Sequence, residues 1–192
     1  MSSFLQEALN YESLGLSLMP IAGNKKPPAG FQWKRYQNEK PDKTELCGWF
    51  SNPDLAGLAV ILAPVSGGLY MRDFDVSTSY DLWARAFPDL AASLPTAVAH
   101  RGPHVYFKSS DTLKTTKLGD GELRGVGAYT VLPPSIHPSG KRYSWRIPLS
   151  TASVPTVNAF DVGFMQNWQD VNPTQKQPID PLMPSSLSTF VP

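Results

Sequence analysis

The 192-residue chain has one cysteine, Cys47, which excludes an intramolecular disulfide and any cysteine-cluster zinc site. That scarcity fits a reducing, intracellular setting, and Cys47 itself reads as a small buried hydrophobe on a helix. No run approaches the roughly 18 apolar residues that cross a bilayer, and no basic stretch leads into an apolar one at the N-terminus. A soluble, cytoplasmic protein with no membrane partner is expected. Net charge is also lacking: 17 Lys and Arg against 16 Asp and Glu leave +1, so the overall balance does not itself point to nucleic acid. A phosphate-cradling Gly-Lys-Ser/Thr loop is missing as well, and Ser66-Gly67-Gly68 reads as a turn.

With 41% hydrophobic and 17% charged residues the chain is globular, and 19 prolines with 14 glycines predict many turns and short elements rather than a helical bundle. Apolar spacing through Phe4, Ala8, Tyr11 and Leu14 before Gly15 predicts an amphipathic helix, and Leu16 to Ile21 a strand. Asp42 with Glu45 forms a capping box for a short helix ending near Pro53, and Thr78 with Asp81 opens another that breaks near Pro88. The runs Leu58–Leu62 and Leu69–Asp73 flank a glycine-containing loop, the pattern of an antiparallel pair. Further strands are expected at Thr96–Ala99, His104–Lys108, Ala128–Leu132 and Arg142–Ile147, with a polar connection between Ser109 and Gly121. The order predicts an α+β fold with a mixed or antiparallel sheet and helices on one side. Residues 1–150 form the expected domain. Residues 151–192, rich in proline, read as a loosely packed tail or linker with one short helix between Phe160 and Trp168.

Charge is unevenly placed. Residues 101–146 hold eight Lys or Arg against three acids, a local surplus that suits a face for a phosphate backbone. Asp73 and Asp75 end an apolar run, and in an extended segment their side chains point the same way, about 6.6 Å apart along the backbone. Paired carboxylates at that spacing suit hard divalent cations, because a desolvated like-charge pair is unfavourable unless a cation or proton compensates it. Arg101 and His104 bracket Gly102-Pro103 and supply donors for phosphate oxygens, whereas His100 is expected on the other face. Glu122 and Arg124 repeat the same-face spacing. They serve either as a mutual salt bridge or as a third carboxylate and a phosphate-binding cation.

These motifs, in this order, resemble the bifunctional DNA primase/polymerase N-terminal (Prim-Pol) family of the archaeo-eukaryotic primase superfamily. The resemblance covers about residues 4–147 and rests on Lys26-Pro27, Trp33, Trp49-Phe50, Gly57–Ile61, Asp73-Phe74-Asp75, Arg101-Gly102-Pro103-His104, Glu122–Gly125, Tyr129–Ser135 and Tyr143–Trp145. Gly102-Pro103 stands where the family often has Gly-Gly, and Glu122 where it commonly has Asp. The resemblance implies an N-terminal αβ module joined to an RRM-like catalytic module, with the active site between them. It implies Asp73, Asp75 and Glu122 as catalytic metal ligands for two Mg²⁺ or Mn²⁺ ions, and His104, Arg101, Arg124 and Lys26 as nucleotide-binding residues.

The expected partners are then a single-stranded or primed DNA template, NTP or dNTP, and a helicase or further replication domains. The expected setting is the nucleoid, in replication of a plasmid, phage or mobile element. Trp33 and Tyr143 are candidate exposed stacking aromatics for the template. Two other classes remain open from the residues alone: a dormant nucleic-acid-binding replication module, and a two-metal nuclease.

Overall fold

The computed structural model describes residues 3–98, 100–150 and 154–171. Its elements, in chain order, are α1 (Ser3–Ser13), β1 (Ser17–Ile21), α2 (Lys43–Phe50), β2 (Gly57–Ile61), β3 (Leu69–Phe74), α3 (Ser77–Ala86), α4 (Pro88–Ser93), β4 (Thr96–Val98), β5 (Pro103–Lys108), β6 (Thr116–Leu118), β7 (Gly121–Arg124), β8 (Tyr129–Leu132) and β9 (Ser144–Ile147). The fold is α+β, as expected, and every named strand pair is antiparallel. There are two sheets rather than one: three strands in the order β1-β2-β8 and six in the order β6-β7-β3-β5-β4-β9.

β2 and β3 are not the hairpin that the sequence pattern predicts. They lie in different sheets, joined only by a bridge between Ala63 and Leu69. Each finds a better partner elsewhere, β2 between β1 and β8, and β3 between β5 and β7. Alternation then sorts their side chains among three cores. Leu58 and Val60 of β2, with Leu69 and Met71 of β3, enter the core under α1 and α2, where Leu5, Ala8, Leu46 and Phe50 also lie. Tyr70 and Phe74 face the opposite way, onto Trp83 of α3. Ala59 and Ile61 meet Met19, Tyr36, Val131 and Tyr143 in a third cluster.

The α2 capping box is present: Asp42 accepts from the Glu45 amide at 2.8 Å, and the Glu45 side chain accepts from the Asp42 amide at 3.0 Å. The cap position of α3 lies two residues earlier than the expected Thr78 and makes no side-chain cap hydrogen bond. Val76 occupies the cap position, so Thr78 lies already inside the helix. Cys47 is exposed on the outer face of α2, not buried, because Leu46 and Phe50 are the residues of that helix turned inward. The strand expected at Arg142 starts at Ser144, since Arg142 bridges to Ile136 and the Tyr143 amide donates to the Ser135 carbonyl at 2.9 Å. Ala99, the expected end of β4, lies outside the described residues.

Residues 154–171 are not loosely packed. Ala159, Phe164 and Trp168 are buried in the core against α3. The helix expected between Phe160 and Trp168 is a series of turns followed by a 3-10 turn at Trp168–Asp170. Gly163, at φ +69°, breaks it. Residues 172–192 of the expected tail lie outside the described residues. Among the described residues no helix is long and apolar enough to cross a membrane.

Candidate active site

The face of β3 that carries Leu69 and Met71 into the core carries Asp73 next, at the point where the sheet's end opens into a cleft. Asp73 lies directly opposite His104 of β5 on one side and Glu122 of β7 on the other. Directly opposed residues share a face, so His104, Asp73 and Glu122 form one row across three adjacent strands. Asp75, two residues on, is fixed by its amide, which donates to the Asp120 carbonyl at 2.8 Å. The cleft has a volume of about 280 Å³. Its floor holds Asp73, Asp75, His104, Glu122 and Arg124, while Thr130 and Val131 of β8 form the opposite wall.

Each acid has a basic neighbour. Arg101 Nε is 3.1 Å from Asp75 Oδ1, His104 Nε2 is 3.4 Å from Asp73 Oδ1, and Arg124 pairs with Glu122. Glu122 and Arg124 form the mutual ion pair, and both side chains also line the cleft. Arg124 is held further by donating to the Tyr129 carbonyl at 2.8 Å, which ties β7 to β8 across the cleft.

Burial pushes the His104 imidazole down to about 3, and Arg124 acts in the same direction. His104 is thus neutral, and its contact with Asp73 is not an ion pair. Burial raises the Asp73 carboxyl, with Arg124 opposing and Glu122 reinforcing that shift. His104 Nδ1 and Arg124 Nε are buried without a hydrogen-bond partner. Arg72 Nε and Ser79 Oγ, away from the cleft, share this condition among the described residues, so it is not special to the cleft.

Three carboxylates at one cleft floor are the hard oxygen ligands that Mg²⁺ or Mn²⁺ takes, so the residues fit the group chemically. Among the described residues, however, no three His, Cys, Asp or Glu side chains converge closely enough to hold one ion. Arginines occupy that role instead, at Asp75 and at Glu122.

A family model for the N-terminal region of bifunctional DNA primase/polymerases, Prim-Pol, matches residues 8–157. The chain belongs to the Prim-Pol family. Membership assigns it a primase/polymerase type of activity, with DNA and nucleotides as the general substrate classes. No match is found among curated proteins. The matched stretch contains all of β1 to β9, and so the whole of the cleft.

Several residues at this Prim-Pol cleft escape a reading of the sequence. His100 was expected to face away, yet it lines the cleft, because it sits in a bend where strand alternation does not apply. Its ring stacks on His137, with centroids 4.6 Å apart, and Ser139 Oγ lies 2.8 Å from His137 Nδ1 and 3.4 Å from His100 Nδ1. Lys25 joins Lys26 at the rim, in a left-handed conformation at φ 64°. The Asn24 side chain, accepting from the Lys26 amide at 3.0 Å, holds that turn. Tyr143 is buried against His104 rather than exposed, and Trp33 is half-buried edge-on to Tyr129. Nor does the basic surplus form one face. Lys114 and Lys117 lie near β6 at one edge of the six-stranded sheet, and Arg146 of β9 lies at the other, over Tyr80.

Proposed function

We propose that this Prim-Pol domain is a template-directed nucleotidyltransferase that extends DNA in the replication of a plasmid, phage or mobile element. The observation that carries the reading is the cross-strand row His104–Asp73–Glu122, with Asp75 beside it, opening on a cleft whose rim is cationic. Asp73, Asp75 and Glu122 would hold Mg²⁺ or Mn²⁺, which when bound lowers the pKa of an attacking 3′-hydroxyl and neutralises charge on the leaving pyrophosphate. The other residues bind and orient. Lys25, Lys26, His100, Arg101 and His137 line the same cleft and suit a triphosphate, a ligand with several oxygens to satisfy.

Neutral His104 carries a single N–H, and Nε2, 3.4 Å from Asp73 Oδ1, can donate it to a phosphate oxygen, without adding charge, once a cation takes that carboxylate. Arg101 and Arg124, each paired to an acid of the cleft, are placed to turn to phosphate when a cation takes over their carboxylates.

Asp73→Asn tests the reading. Primer extension with dNTP and Mg²⁺ or Mn²⁺ is expected to fall by at least about two to three orders of magnitude, with the thermal midpoint kept. Extension by the variant at the wild-type rate would overturn it. The arginine pairing of the acids favours one competing reading, a dormant module that binds DNA without chemistry. Template binding by wild type and variant alike, with no incorporation by either, selects that one.

A further inference from the structure

Arg72 is fully buried, and the chemistry proposed above does not use it. It leaves β3 on the face opposite Asp73, over the Phe74 ring at 4.2 Å. Its guanidinium pairs with Asp120, also fully buried, and donates to the Asp73 carbonyl and to the Gln166 carbonyl, the latter at 3.3 Å. The second oxygen of Asp120 accepts from the Trp168 amide at 3.0 Å, and its backbone carbonyl accepts from Asp75. The next residue, Gly121, has φ +144°, and a Cβ there would lie 2.0 Å from the Asp73 carbonyl. Glu122 follows, opposite Asp73. The ion pair is thus bonded through Arg72 to the Asp73 carbonyl and fixes the side chain of Asp120. The Asp120 backbone carbonyl holds the Asp75 amide, Asp120 lies two residues from Glu122, and residues 166–168 close the pair from behind.

A buried ion pair is a weak source of stability, because desolvation offsets its attraction, and apolar side chains of similar volume often serve the fold as well. An apolar pair cannot, however, donate to the Asp73 carbonyl or accept from the Trp168 amide. We propose that Arg72 and Asp120 are positioning residues: they set the register of the three cleft acids, and residues 166–168, beyond the family match at 157, lock them in place. The inference rests on the reading of those acids as cation ligands. It adds that the functional unit extends to Trp168.

The test uses the full chain carrying Arg72→Met with Asp120→Leu, and separately Arg72→Lys, which keeps the charge but loses the guanidinium fork. Three quantities are read: the thermal midpoint, amide hydrogen exchange at Asp75 and Trp168, and Mn²⁺ affinity from the free-ion electron paramagnetic resonance signal. The double variant is expected to stay folded, to lose protection at Asp75 and Trp168 but not at Val60 in β2, and to bind Mn²⁺ about 10–100-fold more weakly. Arg72→Lys is expected to fall between it and wild type, and decides the matter if the double variant does not fold. Unchanged Mn²⁺ affinity and unchanged Asp75 protection in a folded variant overturn the inference, even if the midpoint drops. Wild type with no Mn²⁺ affinity refutes the reading of the acids instead, and Asp75 protection then still judges whether the pair sets their positions.

Discussion

At Gly102 the backbone comes so near the end of β3 that a Cβ would sit 1.8 Å from the Phe74 carbonyl oxygen. The close approach here is to protein backbone. It lets the turn before β5 close on the segment carrying Asp73 and Asp75, so that His104 comes opposite Asp73 and Arg101 reaches Asp75. Gly102→Ala must push these strands apart at their cleft end. Overpacking of this kind costs about 1–3 kcal/mol, so the urea midpoint is expected to fall by that equivalent. Because the displacement acts at the acids, primer extension by the folded variant is expected to drop more steeply than stability does. A variant with lowered stability and wild-type extension would show that the turn carries no information for the site.

Among the elements, α1 is tied by hydrogen bonds of the Tyr11 side chain to β8 and β9. Tyr11 OH donates to the Pro133 carbonyl at 2.8 Å and accepts from Trp145 Nε1 at 2.7 Å, joining α1 to the end of β8 and to β9. Burial pushes the Tyr11 phenol up to about 12, against the lowering effect of the Trp145 hydrogen bond. In the unfolded chain the phenol ionises near 10, so between about pH 10 and 12 the unfolded state releases a proton that the native state keeps. The contribution is therefore complete below pH 10 and is lost as pH rises through 12. Tyr11→Phe is expected to cost about 1–2 kcal/mol at pH 7, by leaving the Pro133 carbonyl and Trp145 Nε1 without this partner. It should also flatten the alkaline limb of a stability profile measured by denaturant at pH 8 to 11. An alkaline limb identical to wild type would exclude the phenol as its source.

This scale also shows where the sequence could be read. α1, β1 and the α2 cap were legible because periodicity and capping chemistry are local. Asp73 and Asp75 do reach one cleft with His104 and Glu122, but β3 ends at Phe74 and Asp75 gets there from a bend held by its amide's hydrogen bond to the Asp120 carbonyl, not by strand alternation. The pairing of β2 and β3 was not legible, since a glycine loop specifies a turn but not the neighbour each strand will choose. His137, Lys25 and Tyr143 come from turns and irregular segments, where no period marks the direction of a side chain.

For the whole molecule, the boundary of the folded unit was the least legible feature, because few large side chains set it. Between Val154 and Val171 the apolar residues Val157, Phe160, Phe164, Trp168 and Val171 recur at helical spacing, which reads as one short helix and does not reveal that turns around Gly163 fold the segment onto the sheet. Yet Phe164 stacks on Trp83 at 5.1 Å and packs on Phe107 at 4.6 Å, and Trp168 meets Phe87 edge-on at 6.2 Å while donating from Nε1 to the Gly163 carbonyl at 2.8 Å. These two rings cover the face of the six-stranded sheet that looks away from the cleft. Truncating a buried Phe or Trp to Ala costs about 3–5 kcal/mol, against a total of about 5–15 kcal/mol for a domain of ordinary stability. A chain ended after residue 157, where the family match stops, loses both rings and the backbone partners of Arg72 and Asp120. It is expected to lack a cooperative thermal transition, whereas a chain ended after residue 171 keeps one. Trp168→Ala in the full chain should fall between them, folded but lowered by most of one such increment in urea denaturation. Cooperative unfolding of the 157-residue chain at the wild-type midpoint would show that the segment from 158 to 171 only lies against the sheet and does not complete it.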